Sequence, residues 1–407
     1  MSGCDHRDGM DQFQWLPKYL KNTLVYLVLH NVGDIDRKAI HNIIKLKRLR
    51  HLDISKLPDK IDSNKYNNPN SVLKMIAEGL PELSSLDISA TNLPGNGVFE
   101  YNRNMNGEVQ YRAHRGGDAG SGNDSMSSSD HEQEENNEMD ADTHESIKNK
   151  KEMPKCDIVG LISRVDKPLD FLGLYKCIYE PSYRAHIPAK EVSGDLNEAQ
   201  MLIAGQRYLN RPMILETVLH DLYNNFKNSA CENFQTSLDI TLLSMDRHPG
   251  ERKIQQAGSA CLYYLVRDEP KDRVSVKVKQ KILATLLNAM FGHKDDVDMM
   301  RNGCLTLCQF DIPNDVIFDY ERLIEILLYI VSTHNKAADG NGFVQRAGIC
   351  LLNSLACQVE GRRKLLVGDL GAMEKMLGII QDRLRSSMLL RYLPKCIIRK
   401  FEIVGQP

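Results

Sequence analysis

Cys304 and Cys308 stand four residues apart, a spacing that sets two thiols on one face of a helix and could clasp a metal ion if further ligands joined them. Their equivalents in the repeat described below are Ser259, Tyr263, Ile349 and Asn353, so no ligand column forms and two small buried thiols are expected. His248, His293 and His334 each close a helix-like phrase. An imidazolium there interacts favourably with the C-terminal partial charge of the helix, so capping is expected of them rather than acid–base catalysis. Gly116-Gly-Asp-Ala-Gly120-Ser-Gly122 has the glycines of a phosphate loop without the preceding apolar strand or the following helix, and reads as a flexible linker. Asp339-Gly-Asn-Gly342 resembles part of a calcium loop that lacks its distal acidic ligand. Ser127 and Ser129 each have an acid three residues on, Asp130 and Glu132, which suits an acid-directed kinase. No Gly-x-Ser-x-Gly, His-Glu-x-x-His or Walker-type loop occurs. The expectation is a binding protein, not an enzyme, with no metal and no cofactor.

The elements that would carry a binding function must come from the rest of the 407 residues. The formal charge is −2, so no global field is available to hold nucleic acid or an anionic membrane, and neither is expected as a partner. Ten cysteines without a Cys-x-x-Cys spacing argue against a disulfide scaffold or a zinc ribbon. The N-terminus carries Asp5, Arg7, Asp8 and Asp11 where a leader would be apolar, and no apolar run reaches the roughly 18 residues of a membrane span. An intracellular protein is expected, in cytoplasm, nucleus or both.

Leu49-Arg-His-Leu52-Asp53-Ile54-Ser55 recurs as Leu83-Ser-Ser-Leu86-Asp87-Ile88-Ser89, and more loosely as Leu24-Val-Tyr-Leu27-Val28-Leu29-His30. Leu-x-x-Leu-x-Leu turns alternate leucines of a short strand inward, the signature of a leucine-rich repeat. Helix-like stretches from Arg37 to Leu49 and from Asn70 to Leu80 are expected to pack behind the strands. From Tyr101 to Lys155 the composition turns to Asn, Gly, Ser and acid, with eight Asp or Glu and no Lys or Arg between Ser129 and Ser146. Such a segment cannot bury enough apolar surface to offset its chain entropy.

From Asp195 to Leu384 amphipathic helix predominates, and a period emerges. Gly258, Gly303 and Gly348 stand 45 residues apart inside matching phrases, as do Leu262, Leu307 and Leu352. A second phrase alternates with it, in which Leu242-Leu243, Leu286-Leu287 and Leu327-Leu328 lead to the three histidines. Two interleaved helical phrases in about 45 residues imply a solenoid of armadillo or HEAT type, and the repeated glycine is expected to admit a close helix–helix approach. If the third helix of each unit lines a groove, Tyr263, Cys308 and Asn353 share one column and Tyr264, Gln309 and Ser354 the next. Tyr263, Tyr264, Gln309 and Asn353 are therefore the groove candidates, able to stack on a peptide and hydrogen-bond its backbone.

The expected organisation is an N-terminal segment (1–22), leucine-rich repeats (23–100), a disordered acidic linker (101–155), a connecting segment (156–194), armadillo-like repeats (195–385) and a divergent tail (386–407). The fold class is mixed and mainly α, a short α/β leucine-rich block followed by an α-solenoid.

The run Met300-Arg-Asn-Gly-Cys-Leu-Thr-Leu-Cys-Gln-Phe-Asp-Ile-Pro-Asn-Asp-Val-Ile-Phe-Asp-Tyr320, the flanks of Phe343 to Gln358, Gly368-Asp-Leu-Gly-Ala372, the Leu-Asp-Ile-Ser89 phrase and Pro168-Leu-Asp-Phe-Leu-Gly-Leu174 closely resemble the Zyg-11 family. The resemblance implies leucine-rich repeats followed by armadillo repeats. It implies a substrate receptor of a cullin-2 RING ubiquitin ligase, joined through elongin B and elongin C, which recognises proteins with an exposed N-terminal glycine. Compared with the family, the chain is expected to be shortened at both ends. The elongin- and cullin-binding box would precede the first repeat. The family's glycine pocket uses an Ala-Leu-Trp-Asn-x-Thr-Asp-Glu type motif on a later helix, whereas the only tryptophan here is Trp15. Those pocket residues do not carry over. Asn353 falls in the column that the motif's Asn occupies one repeat later. The alternative expectation is an interaction scaffold or regulatory short form without cullin docking or degron capture.

Overall fold

A computed structural model describes residues 13–33, 35–60, 66–97, 99–103, 109–113, 156–267, 274–310, 320–333 and 343–358. The first block opens with α1 (Trp15–Leu20) and β1 (Tyr26–Val28), then α2 (Arg37–Ile43), β2 (His51–Asp53), α3 (Pro69–Gly79) and β3 (Ser85–Asp87). The Leu-x-x-Leu phrases form three-residue strands in parallel register, Leu27 beside Leu52 beside Leu86. Parallel neighbours need a crossover, and α2 and α3 supply it. Helix α2 starts where the Asp36 side chain accepts the Ala39 N–H at 2.7 Å, and it buries Ala39, Ile40 and Ile43. Helix α3 starts at Pro69, whose missing N–H costs nothing in the first turn, and it buries Val72, Leu73, Ile76 and Ala77.

The sheet does not end at residue 100. Beyond β3 the chain forms a two-stranded antiparallel pair, β4 (Phe99–Arg103) with β5 (Val109–Ala113), and then returns as β6 (Leu169–Gly173) and β7 (Ala189–Ser193). The sheet order is β1-β2-β3-β6-β7, all parallel, with Leu172 and Val192 continuing the leucine row. The segment 156–194, expected to be a connection, therefore builds two further strands, and a 3-10 helix over Val159–Arg164 takes the place of an α-helix behind them. The β4–β5 pair likewise corrects the expectation of a wholly disordered 101–155; the remainder of that linker lies outside the described residues. Tyr101 pairs in register with Tyr111, β-formers hidden in the sequence by the Asn and Gly around them.

Two arginines make the interrupted block continuous. Arg164 is buried and donates to the carbonyls of Ala77 (2.8 Å), Leu80 (2.6 Å) and Leu83 (3.0 Å), capping the C-terminal end of α3. Arg184 donates to the carbonyls of Pro94 (2.9 Å), Gly95 and Asp157 (3.4 Å), so it grips the chain on both sides of the 98–155 insert. The insert leaves and re-enters at one neck, where Gly97 takes φ +75°, a conformation that favours glycine, and a Cβ would lie a tight 3.1 Å from the Arg184 guanidinium.

The second block consists of α4 (Glu198–Arg207), α5 (Pro212–Asn228), α6 (Phe234–Arg247), α7 (Arg252–Arg267), α8 (Val276–Gly292), α9 (Val297–Leu307), α10 (Tyr320–Thr333) and α11 (Phe343–Gln358). Helices α4, α6, α8 and α10 stack as one layer and α5, α7, α9 and α11 as the other, the arrangement of a helical-repeat solenoid. Glu198 accepts the Glu232 and Asn233 N–H groups, both at 2.8 Å, and so caps α6 from the preceding unit.

The glycine column has the role expected of it. A Cβ on Gly258 would stand 2.5 Å from Met245 Cγ, one on Gly303 2.3 Å from Met290 Sδ, and one on Gly348 3.0 Å from Ile330 Cγ2. Each glycine is the notch that receives the other helix of its own unit. Gly303→Val is expected to cost about 1–3 kcal/mol by overpacking. In Gly303→Ala the helix-propensity gain of about 1 kcal/mol offsets much of the strain on the flexible Met290. Urea unfolding of the two variants checks this, and equal stabilities would contradict it.

Candidate functional site

The Asp and Ser of the Leu-Asp-Ile-Ser phrase meet the helical block. Asp53 and Asp87 end β2 and β3 side by side, and both are nearly buried. Asp53 Oδ1 accepts the Ser55 N–H (3.0 Å) and hydroxyl (2.5 Å), while Asp87 Oδ1 accepts the Ser89 N–H (3.0 Å). Each phrase thus folds an Asx-type turn off the end of its strand. At the next strand the equivalent of the aspartate is Gly173, where a Cβ would lie 2.1 Å from Asp87 Oδ1.

Into this row comes the loop between α4 and α5. The Arg211 guanidinium pairs with Asp53 Oδ2 through Nη2, and its Nη1 lies 3.8 Å from Asp87 Oδ2. The fully buried Tyr208 hydroxyl is bonded to Ser89 Oγ at 2.7 Å and lies 3.2 Å from Asp87 Oδ1 and 3.3 Å from Ser193 Oγ. Tyr175 donates its hydroxyl to Asp221 of α5 (2.7 Å), which also pairs with Lys176 (2.9 Å). Leu57 and Tyr175, from the strand block, are part of the apolar core of the helices. The junction is therefore a buried polar lattice on an apolar floor, and it sets the direction in which the solenoid leaves the sheet.

Ser55, His30 and Asp53 lie together here, with His30 Nδ1 3.0 Å from Ser55 Oγ. They do not form a nucleophile, because Ser55 is fully buried and gives its proton to Asp53. Burial, then Arg211, holds the His30 imidazole below its ordinary pKa. Burial and the neighbouring Asp53 push the Asp87 carboxyl up to about 7. An acid whose folded pKa is raised contributes stability fully below its unfolded value, and loses it as pH rises through the folded one. Wild type is therefore expected to lose stability relative to Asp87→Asn between pH 4 and pH 8. Melting curves of the pair across that range check the sign; a parallel pH dependence would contradict it.

Along the solenoid, the layer of α5, α7, α9 and α11 presents the candidate recognition residues. Tyr263 and Tyr264 are half-buried near the C-terminal end of α7, with ring centroids 5.0 Å apart and edge to face. Tyr264 also meets Tyr223 of α5 at 5.6 Å, and the Arg267 guanidinium lies 4.7 Å from the Tyr264 ring. Gln309 follows α9, half-buried, with its amide on the Leu305 carbonyl (3.1 Å). Asn353 lies on α11, and its side chain is outside the described residues. Successive helices of one layer carry all four, while Tyr223, which extends the aromatic row by one unit, escaped the sequence reading because its spacing to Tyr264 is 41 and not 45. Between the rows Gln256 reaches Asp296 Oδ2 (2.7 Å) and Asn302 reaches Ser259 Oγ (3.2 Å), so neighbouring helices are cross-linked by amides.

His248 and His293 stand at the C-caps of α6 and α8, where their backbone N–H groups bond the Ser244 and Ala289 carbonyls, but their rings reach outside their own helices. His248 Nε2 bonds the Leu209 carbonyl (2.7 Å) and His293 Nε2 the Pro249 carbonyl (2.8 Å), so each ties its unit to the turn of the unit before. The capping falls to Gln255, on the Met245 and His248 carbonyls, and to Gln345, on Val331. These glutamines occupy the same position two units apart, a sequence signal that went unread. His334 lies outside the described residues. Cys304 is fully buried, whereas Cys308 is exposed, which corrects the expectation of two buried thiols. Among the described residues no group of three or more His, Cys, Asp or Glu could hold a metal ion, and no helix is long and apolar enough to cross a membrane.

Comparison with known proteins places this geometry in context. The family described as "Zer-1-like, Leucine-rich repeats" matches residues 2–114, and that described as "Protein zer-1 homolog-like, C-terminal domain" matches residues 243–397. The chain is 40% identical over 362 residues to the protein zer-1 homolog of Drosophila melanogaster, covering 89% of this chain and 41% of that protein. It is 33% identical over 361 residues to Zyg eleven-related protein 1 of Caenorhabditis elegans, covering 88% and 34%. It is 32% identical over 386 residues to the protein zer-1 homolog of Homo sapiens, covering 94% and 43%. The chain thus spans about two fifths of the length of the zer-1 homologs it matches. No solved structure matches it significantly.

Proposed function

Since this chain is homologous to the zer-1 proteins of the Zyg-11 family through both its leucine-rich and its helical blocks, we propose that it is a non-catalytic substrate receptor of a cullin-2 RING ubiquitin ligase. Elongin B, elongin C and cullin-2 are its partners in the assembly, and proteins with an exposed N-terminal glycine are its substrates. The helical block is an armadillo-like array whose recognition layer is α5, α7, α9 and α11. The observation that supports the reading most is the single stretch of 362 residues, 40% identical to the zer-1 homolog of Drosophila melanogaster, that extends across the sheet, the junction and the helices. A receptor of this kind has no bond to make or break. It needs a rigid frame and a row of aromatic and amide side chains, which Tyr223, Tyr264, Tyr263 and Gln309 provide at half-buried positions.

Two measurements on the full chain test the reading. Co-purification with elongin B, elongin C and cullin-2 is expected, and its repeated failure with a folded chain would favour the interaction scaffold. Fluorescence polarisation should show a peptide with a free N-terminal glycine binding more tightly than its acetylated form. Equal affinities would remove degron capture from the proposal.

A further inference from the structure

Helix α1 and the loop between α2 and β2 form a basic rim at the first repeat. Lys18, Lys21, Lys45, Lys47, Arg48 and Arg50 all lie here and are all exposed. Of these only Arg50 pairs with a carboxylate of a described residue, Glu82 at 3.4 Å. Lys47 and Arg48 reach the carbonyls of Gly79 and Asn22, and Lys45 the Asn42 side chain. Asp36, the other described carboxylate of these elements, is engaged at the start of α2. The rim borders a shallow cavity of about 670 Å³ lined by Trp15, Tyr19, Lys18, Lys21 and Lys45 among others. Trp15 is 56% exposed and Tyr19 68%, and Tyr26 on β1, the edge strand among the described residues, is 62% exposed. Cationic side chains that mostly lack a described carboxylate partner, set beside exposed aromatic rings, are the chemistry of a site for an acidic peptide.

We propose that this rim docks the chain's own acidic segment, residues 129–146. The charges are complementary, because the segment has eight carboxylates and no Lys or Arg. The tether also fits. The neck of the insert, at Gly95, abuts Asn70 in the first turn of α3, and Lys47 abuts Gly79 at the other end of the same helix. The nine-residue rise between them is about 14 Å, whereas the sixteen residues from the end of β5 to residue 129 can span about 50 Å. A tethered segment meets the rim at an effective concentration in the millimolar range, enough for a weak electrostatic contact to form. The occupied rim is closed to other acidic partners, and this holds whatever the helical layer binds.

Zero-length carbodiimide coupling of the full chain, read by peptide mass spectrometry, tests the proposal. Carboxylates of 129–146 are expected to couple within one molecule to Lys18, Lys21, Lys45 and Lys47. The yield should fall about tenfold from 0.1 M to 1 M salt, as the Debye length shrinks from about 10 Å to about 3 Å. The exposed triple substitution Lys18→Glu, Lys21→Glu and Lys45→Glu should abolish coupling to the remaining Lys47 while leaving the circular dichroism spectrum unchanged. In a second arm, a chain with the eight acids changed to amides should bind a free peptide of residues 127–147, and the charge-reversed rim should not. Coupling spread over remote lysines such as Lys253, Lys277 and Lys281, coupling found between molecules alone, or coupling indifferent to the triple substitution would overturn the proposal.

Discussion

Arg211→Ala is expected to destabilise the chain by about 3 kcal/mol or more, because it strands Asp53 and Asp87 in a buried site without their counter-charge. The pair by itself is no guarantee of stability, since the desolvation of its members offsets much of their attraction; the cost arises from removing one partner alone. Arg211→Lys should recover part of the loss. An ammonium keeps the charge but cannot fork between two carboxylates and Ser55, whose hydroxyl Arg211 reaches at 3.4 Å. Adding Asp87→Asn to Arg211→Ala should also recover part of it, and the two changes will not be additive because they share one lattice. Melting and urea unfolding of the four proteins measure the cycle. A wild-type stability for Arg211→Ala would show that the lattice does not hold the two blocks together, and would leave the apolar contacts of Leu57 and Tyr175 as the joint.

The second large effect is expected at Arg164. Its guanidinium is the common donor for the Ala77, Leu80 and Leu83 carbonyls, and burial lowers its pKa. Arg164→Met preserves much of the volume and removes every donor. Each buried carbonyl left without a partner costs about 1–3 kcal/mol, so a loss of about 3 kcal/mol or more is expected. The damage should be local at first. Amide hydrogen exchange ought to accelerate through the last turn of α3 and through β3 before the helical block responds. Unchanged protection of α3 would mean that the 3-10 helix at Val159–Arg164 holds by its apolar contacts with α3 and not by the cap.

Arg164, like Arg184, joins sequence on either side of the insert, which explains how a segment of nearly sixty residues can interrupt a repeat block without ending it. Both ends of the insert are fastened at one neck, and β6 pairs with β3 as β3 pairs with β2. The sequence alone ends the block at residue 100, because the fourth phrase, Leu169-Asp-Phe-Leu172-Gly173-Leu174, has glycine where the second and third have aspartate. The structure accounts for the exception, since any side chain at residue 173 would collide with Asp87.

What the sequence determined by itself is the part of the protein that repeats. Leucines at strand spacing, glycines 45 residues apart and interleaved apolar phrases each encode a local element and the face it buries, and burial of that face is decided within one unit and its neighbour. The division into a leucine-rich block and a helical array, and the glycine notches at 258, 303 and 348, were legible on those grounds. The tertiary structure alone decided the contacts between distant pieces. The Asp of the Leu-Asp-Ile-Ser phrase, 158 residues from Arg211, gains its partner only because parallel register aligns two carboxylates and the α4–α5 loop lands on them. The spacing placed His248 and His293 at their helix ends, but the partners of their rings lie 39 and 44 residues away, in the preceding unit. Hydrophobic periodicity is written in spacing along the chain, whereas a polar group's partner depends on which backbone turn or charge the packed fold brings within about 3 Å.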